Sequence, residues 1–267
     1  MNQIQNPFTL KQGDSPLLIS MPHSGLELTP EVATGLSQKA RLLPDTDWYI
    51  PQLYPFLHTS KASFIQANYS RYVIDLNRPM DDKPLYSSPT TGLFPDVLFD
   101  GSPVFTPDAQ PSVQQRDNYK QQIWLTYHMA IQQELRRLKE KFGYAILFDA
   151  HSIAAHVPML FEGRLPDFNF GTNGGLSCEG KWLDGLAEVA GKSGYTHVCN
   201  GRFKGGYITR HFGAPHNHIH AIQLELSQAT YLQDDTQGFV LDVAKLEVLV
   251  PILQQLVDTL LILPVNQ

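Results

Sequence analysis

The chain has 267 residues, with 42% hydrophobic and 17% charged, which suits one large α/β unit or two small ones around a sizeable core. No run approaches the roughly 18 consecutive apolar residues of a membrane span, and a net charge of −6 disfavours nucleic acid as a partner, and anionic substrates too unless basic residues gather in one pocket. Two cysteines, Cys178 and Cys199, lack CxxC spacing and cannot form a disulfide scaffold, and residues Met1 to Asn6 carry no basic or apolar signal region, so a cytoplasmic setting is expected.

Pro16 to Met21 is a short apolar run that reads as a buried strand. It ends in Pro22-His23-Ser24-Gly25, a histidine just past a strand with a glycine that permits a tight turn. Glu31 to Ala40 has helical composition. Asp45-Thr46-Asp47 precedes Trp48-Tyr49-Ile50-Pro51, which predicts Asp45 or Thr46 as the cap of a helix running to about Leu57. On local grounds the acidic pair reads as capping. Ala62–Ala67 and Tyr72–Leu76 read as two further strands, the second flanked by Arg71 and by Asn77-Arg78-Pro79. Asp75 inside that apolar run needs a partner. It either pairs with an arginine or belongs to a pocket wall whose guanidinium groups hold carboxylates.

Residues 79 to 115 are rich in Pro, Asp, Ser and Gly and show no periodicity. Their aromatics, Tyr86, Phe94, Phe99 and Phe105, argue against disorder, so the segment reads as an excursion covering a site. The clearest helix spans 116–141, with Tyr119, Ile123, Trp124, Tyr127, Ile131, Leu135 and Leu138 on one face. Lys139 and Lys141 suit its last turn and Gly143 its stop. His128, four residues after Trp124, reads as a core histidine.

Ala145 to Phe148 is an uninterrupted apolar run, as in a strand buried on both faces, and it gives way to Asp149-Ala150-His151-Ser152. Ligands of open α/β sheets bind at the carboxyl ends of strands, so Asp149 and His151 are expected where chemistry sits. Val157–Phe161 reads as a strand or edge segment, 167–180 as a loop, and Trp182–Gly191 as a helix with Leu183, Leu186, Ala187 and Ala190 inward. Thr196–Asn200 reads as a strand. The basic turn Gly201–Gly206 lacks phosphate-loop and dinucleotide spacings, so no nucleotide site is expected. His220–Leu226 is a strand with Ile222, Leu224 and Leu226 on one face and Gln223 and Glu225 on the other. A carboxylate on a core strand is costly unless it serves a metal, a cation or catalysis. Leu241–Leu263 closes the chain as one or two helices, with Pro251 at a start or kink.

The expected architecture is a single α/β domain over 1–267 with a mixed, largely parallel sheet between helices. Within it His23, His151 and Glu225 can converge at one sheet edge, supplying the ingredients of a catalytic zinc site. The HExxH spacing is absent, and His211, His216, His218 and His220 form a rival source of ligands.

Six motifs, in order, resemble one family. They are Pro22-His23-Ser24-Gly25, Asp45-Thr46-Asp47-Trp48, the run from Ser70 to Arg78, Asp149-Ala150-His151-Ser152, the run from Asn200 to Arg210, and Gln223-Leu224-Glu225-Leu226. Their joint pattern, over about residues 16–232, resembles the N-formylglutamate amidohydrolase family of histidine degradation. The resemblance implies a three-layer α/β/α fold of the zinc-carboxypeptidase (phosphorylase/hydrolase-like) type, related to aspartoacylase. Carboxypeptidase-like sites place a Glu three residues after the first His, where this chain has Leu26; Glu27 comes one residue too late. The resemblance points instead to Asp47 as carboxylate ligand, with Asp45 as the alternative. It implies that His23, Asp47 and His151 bind Zn2+, or Co2+, Mn2+ or Fe2+ in its place. It also implies Glu225 as general base, Arg71 at the oxyanion, and Asn77, Arg78 and Arg210 as holders of the substrate's carboxylates. The implied partner is a small molecule, N-formyl-L-glutamate, hydrolysed to formate and glutamate. Two other classes fit the same residues: a metal-dependent deacylase or carboxypeptidase of different specificity, and a non-catalytic protein binding acidic metabolites.

Overall fold

Short, fully buried apolar strands organise the computed structural model, which describes residues 4–85, 90–236 and 238–262. Tyr86 of the expected covering segment and Leu263 at the expected helix end lie outside these residues. Seven strands form one sheet in the order β1-β3-β2-β4-β7-β5-β6. They are β1 (Phe8–Lys11), β2 (Leu17–Met21), β3 (Ser63–Ala67), β4 (Ala145–Ile153), β5 (Phe168–Gly171), β6 (His197–Cys199) and β7 (Ile219–Ser227). β3, β2, β4 and β7 run parallel, β5 and β6 run parallel to each other but against β7, and β1 runs against β3. The sheet is therefore mixed and largely parallel.

Alternation along the strands divides the core into two layers. Leu17, Ile19, Ile146, Phe148, Ile222 and Leu224 face one side, where α2 (Ile50–Leu53), α5 (Gly180–Lys192) and α7 (Val243–Ile262) cover them. Leu18, Ile65, Leu147 and Ala221 face the other, against α1 (Pro30–Gly35), α4 (Leu125–Phe142) and α6 (Tyr207–Phe212). Asp149, His151, Gln223 and Glu225 share the second face, because each lies an even number of residues from Leu147 or Ala221. Among the described residues no helix is long and apolar enough to cross a membrane.

The long helical region starts earlier than its periodicity predicts. α3 (Val113–Tyr119) is opened by a capping box between Ser112 and Gln115, and a π-helical turn over Lys120–Trp124 joins it to α4. Gly143, with φ of 83°, ends α4 in the left-handed conformation, as expected.

Several elements differ from the sequence reading. β4 does not stop at Phe148. It continues through Asp149 and His151 to Ile153, because β7 pairs with it residue by residue as far as Ile153↔Ser227. Tyr72–Leu76 is buried but forms turns, with Val73 N–H on Ser70 O and Asp75 N–H on Leu93 O. Its apolar composition reported burial, not extended pairing. The expected 45–57 helix reduces to α2 and a 3-10 turn at Pro55–His58, since Tyr49 is left-handed (φ 61°) and Pro55 cannot extend α2. Glu31–Ala40 is helical only as far as Gly35. Val157–Phe161 is a turn rather than a strand. The 167–180 loop contains β5, and the inward face of α5 is Trp182, Leu186, Val189 and Ala190. The closing segment is one helix, with Pro251 inside it.

Candidate active site

The site lies at the carboxyl ends of β2, β4 and β7. His23 follows β2, and His151 sits in β4 directly opposite Glu225 of β7 in the parallel register. Asp47 arrives from the loop before α2, where its N–H is tied to His23 O at 3.1 Å. One donor atom from each of His23, Asp47 and His151 lies within 4.8 Å of the others, and all three residues are buried. His151 Nδ1 is 2.9 Å and His23 Nδ1 is 3.8 Å from Asp47 Oδ2.

Each histidine's other nitrogen meets a further carboxylate. His23 Nε2 lies 2.7 Å from Asp75 Oδ1, and His151 Nε2 lies 3.1 Å from Asp149 Oδ2. Such carboxylate–histidine contacts fix ring orientation and turn the free nitrogen toward a metal. Ser20 Oγ donates to Asp149 Oδ1 at 3.0 Å, and Arg71 Nη2 donates to Asp75 Oδ2 at 2.7 Å. Asp75 thus has the arginine partner that its burial demanded and orients a histidine as well. The sequence signal for these roles was that Asp75 stands inside an apolar run and that Asp149 follows one at the carboxyl end of a strand.

Charge here is one-sided. Asp45, Asp47, Asp75, Asp149 and Glu225 are all buried, and Arg71 is the buried guanidinium beside them. Buried charges persist when paired or when they coordinate metals. A divalent cation among His23, Asp47 and His151 fits this donor set of neutral imidazole and carboxylate. Burial opposes charging His151, but the Asp149 and Asp47 carboxylates outweigh it and hold the imidazole well above its ordinary range. Burial, with Arg71 adding to it, lowers His23. Burial works to raise Asp75, yet His23, Arg71 and Arg78 keep its carboxyl well below the usual range. Glu225 is pushed up to about 8, mainly by burial, with the His151 charge working against the shift and Asp47 adding to it.

Arg71 is held from three sides. Besides Asp75, its Nη1 donates to Asp45 O at 3.2 Å, and its guanidinium lies 4.9 Å from the centre of the Phe99 ring. The Asp45 carboxylate accepts from Phe99 N–H at 3.1 Å and so stands outside the His–Asp–His group, while Glu27 is exposed. Asn77 Nδ2 lies 3.0 Å from His151 Nε2, and its Oδ1 accepts the Ile208 N–H at 2.9 Å. This close seat requires Gly206, where a Cβ would come within 2.3 Å of Asn77 Nδ2. Gln223 bridges the same region, accepting from Gly206 N–H at 2.7 Å and donating to Glu225 Oε2 at 3.0 Å.

The cleft is walled by Arg71, Asn77, Arg78 and Arg202 together with the His–Asp–His group and Glu225. Arg78 is braced by Thr90 and Thr91, with Nε donating to Thr91 O at 2.7 Å. Arg210 lies outside the cleft lining, on α6, where its Nε donates to Gly205 O at 2.7 Å. Arg202, read from sequence only as part of a basic turn, takes a place in the wall. The rival histidines do not converge: His211 stacks on Tyr207, His216 and His218 are exposed, and His220 is buried on β7 near Glu179. His128 is buried against Trp124, as expected of a core histidine.

A mixed α/β sheet with histidines, carboxylates and a guanidinium buried at its carboxyl edge has the equipment of a hydrolytic enzyme. Comparison with known proteins narrows this. Residues 15–232 match the family model for N-formylglutamate amidohydrolase. An N-formylglutamate deformylase of Pseudomonas aeruginosa is 54% identical over 255 residues, covering 95% of this chain and 96% of that protein. Another of Pseudomonas putida is 56% identical over 228 residues, covering 85% of each. The crystal structure of N-formylglutamate amidohydrolase from Ralstonia eutropha superposes with a TM-score of 0.79 at 22% identity, over 95% of this chain and 97% of that one, and so shares the fold. The chain belongs to the N-formylglutamate amidohydrolase family. It is an enzyme, a hydrolase acting on a linear amide.

Proposed function

We propose that the chain, acting as one catalytic domain, hydrolyses N-formyl-L-glutamate to formate and L-glutamate in the cytoplasm, as a step of histidine degradation. The observation that carries this reading is the cleft that Arg71, Arg78 and Arg202 line together with Glu225 and the His–Asp–His group. A substrate with two carboxylates and one amide matches a cleft that carries both guanidiniums and hydrolytic groups.

His23, Asp47 and His151 would hold the metal, with zinc the best match to two imidazoles and a carboxylate. A divalent ion there supplies a Lewis acid that acidifies water and polarises a carbonyl. Asp75 and Asp149 keep the two imidazoles oriented toward it. The Glu225 carboxylate takes a proton from the attacking water and delivers it to the departing amine nitrogen. Without a cation its carboxyl, pushed up to about 8, keeps its proton near neutrality; positive charge at the three donors favours the basic carboxylate. Gln223 fixes the Glu225 side chain through its 3.0 Å hydrogen bond. Arg71, already oriented by Asp75, neutralises the oxyanion as the acyl carbon becomes tetrahedral.

Arg78 and Asn77 face the substrate's carboxylates from the cleft wall, and Arg202 joins them. Arg210 contributes indirectly, by bonding the Gly205 carbonyl in the turn that closes on Asn77. Phe99, Ile153, Leu160 and Phe203 add apolar wall to the same cleft and belong to one small hydrophobic cluster. The test is elemental analysis of the purified protein alongside formate release from N-formylglutamate. Stoichiometric divalent metal and formate release support the reading; metal-loaded protein that releases no formate rejects it.

A further inference from the structure

Beyond the catalytic cleft lies a second, larger cavity of about 210 Å³. The two share three wall residues, Phe99, Ser152 and Ile153. Ser152 and Ile153 belong to β4, and the Ser152 hydroxyl accepts from Tyr231 at 2.7 Å. Among the described residues, Phe99 therefore supplies the one shared wall residue that is not built into the sheet. Its position is enforced by its N–H on the Asp45 carboxylate at 3.1 Å and by the Arg71 guanidinium over its ring.

The two cavities differ in chemistry. The catalytic cleft carries the guanidiniums, whereas the second cavity has Leu98, Val157, Pro158 and Phe239 in its wall and no arginine among the described residues. Its lysine, Lys39, is ion-paired with Asp100, and Asp45 and Asp235 add further carboxylates. An anion is repelled there and a neutral hydrocarbon chain is accommodated. Phe99 stacks on Arg71, the guanidinium assigned to the oxyanion, so the partition stands beside the acyl carbon of a bound amide.

We propose that the second cavity is a latent acyl-chain chamber and that Phe99 is the specificity-determining residue that closes it, restricting the enzyme to very small acyl groups. This rests on the amide hydrolysis proposed above. The chemistry is unchanged for a longer acyl group: the C–N bond breaks, water adds hydroxyl to the acyl carbon, and the amine leaves with a proton.

The test compares kcat/KM for N-formyl-, N-acetyl- and N-butanoyl-glutamate in the metal-loaded wild type, Phe99→Ala and Phe99→Leu. Phe99 also supports Arg71, so all rates fall in the variants, and the diagnostic quantity is the ratio of butanoyl to formyl turnover. We expect that ratio to rise at least ~10-fold in Phe99→Ala, the order that methylene groups are worth in a fitted pocket. It should rise less in Phe99→Leu. Adding Ala154→Phe, at a residue that lines the second cavity and not the cleft, should cancel the gain. If Phe99→Ala does not fold, the Phe99→Leu ratio and its reversal by Ala154→Phe decide the matter. An unchanged ratio in folded variants of an active enzyme overturns the chamber alone. A wild type that releases no formate overturns the proposed function instead.

Discussion

Asp75 bridges His23 and Arg71, with one carboxylate oxygen 2.7 Å from His23 Nε2 and the other 2.7 Å from Arg71 Nη2. A single buried carboxylate thus orients a candidate metal ligand and the guanidinium expected at the oxyanion. Replacing it separates the two functions from each other. Asp75→Asn keeps the shape but loses the charge, and is expected to weaken metal affinity by ~10- to 100-fold, the usual worth of such an outer partner. It also removes the carboxylate hydrogen-bonded to Arg71, and because Asp47 and Asp45 still face the guanidinium the cost should fall below the ~3–5 kcal/mol of a buried charge left wholly unpaired. Metal titration and urea unfolding of the variant measure the two effects. Unaltered metal affinity would remove Asp75 from the site.

His151→Ala deletes one of three donors, so the expected result is loss of both stoichiometric metal and turnover. The readout is metal content by elemental analysis of the purified variant. His211→Ala serves as the contrast, since His211 stacks on Tyr207 away from the other donors, and should retain metal. The reverse pattern would return the assignment to the 211–220 histidines.

How much of this could be read from the chain depends on the distance over which each feature is set. The runs at Leu17–Met21 and Ala145–Phe148, and the alternation around Glu225, are local patterns, and they become β2, β4 and β7. His23, His151 and Glu225 were legible because they stand on or next to those strands. Asp47 was not legible locally: its neighbourhood looks like a helix cap, and its partner His151 is 104 residues away. Only the resemblance to a family singled it out. Asp75 reaches His23 across 52 residues from within a buried turn that imitates a strand. β5 was hidden because Phe168–Gly171 is four residues long and runs into Asn173-Gly174-Gly175, so turn residues dominated the window. Arg202 and Arg210 both lie in a basic stretch, and only the path of the turn decides which of them faces the cleft.

Glu225→Gln tests the proton transfer with the least disturbance. The amide preserves shape, and Gln223 still offers a partner at the 3.0 Å position. The variant should fold, retain metal and bind N-formylglutamate, with the chemical step slowed by ~10²-fold or more. Pre-steady-state formate release separates this step from product dissociation. Loss of metal would recast Glu225 as a ligand, and near-normal turnover would reject it as the base.

His128 gives the fold a pH dependence separate from the active site. Its ring is buried, stacks 3.7 Å from the Trp124 ring and places Nδ1 2.8 Å from Trp124 O. Burial drives its pKa down to about 4 from an ordinary 6.5; the Trp124 carbonyl works against the shift, as does Asp149 of β4, while His211 of α6 adds to it. The unfolded chain therefore binds a proton between those two values that the folded protein refuses. This contribution to stability is complete above about pH 6.5 and is lost as the pH falls toward 4. A gap of that size corresponds to about 3 kcal/mol. His128→Phe keeps an aromatic ring against Trp124 and removes the titration. Urea unfolding at pH 7 and pH 4.5 should show the variant losing about 2–3 kcal/mol less than the wild type on acidification. Equal losses in the two proteins would mean that His128 takes up its proton as readily in the folded protein as in the unfolded chain, and that the acid sensitivity resides elsewhere.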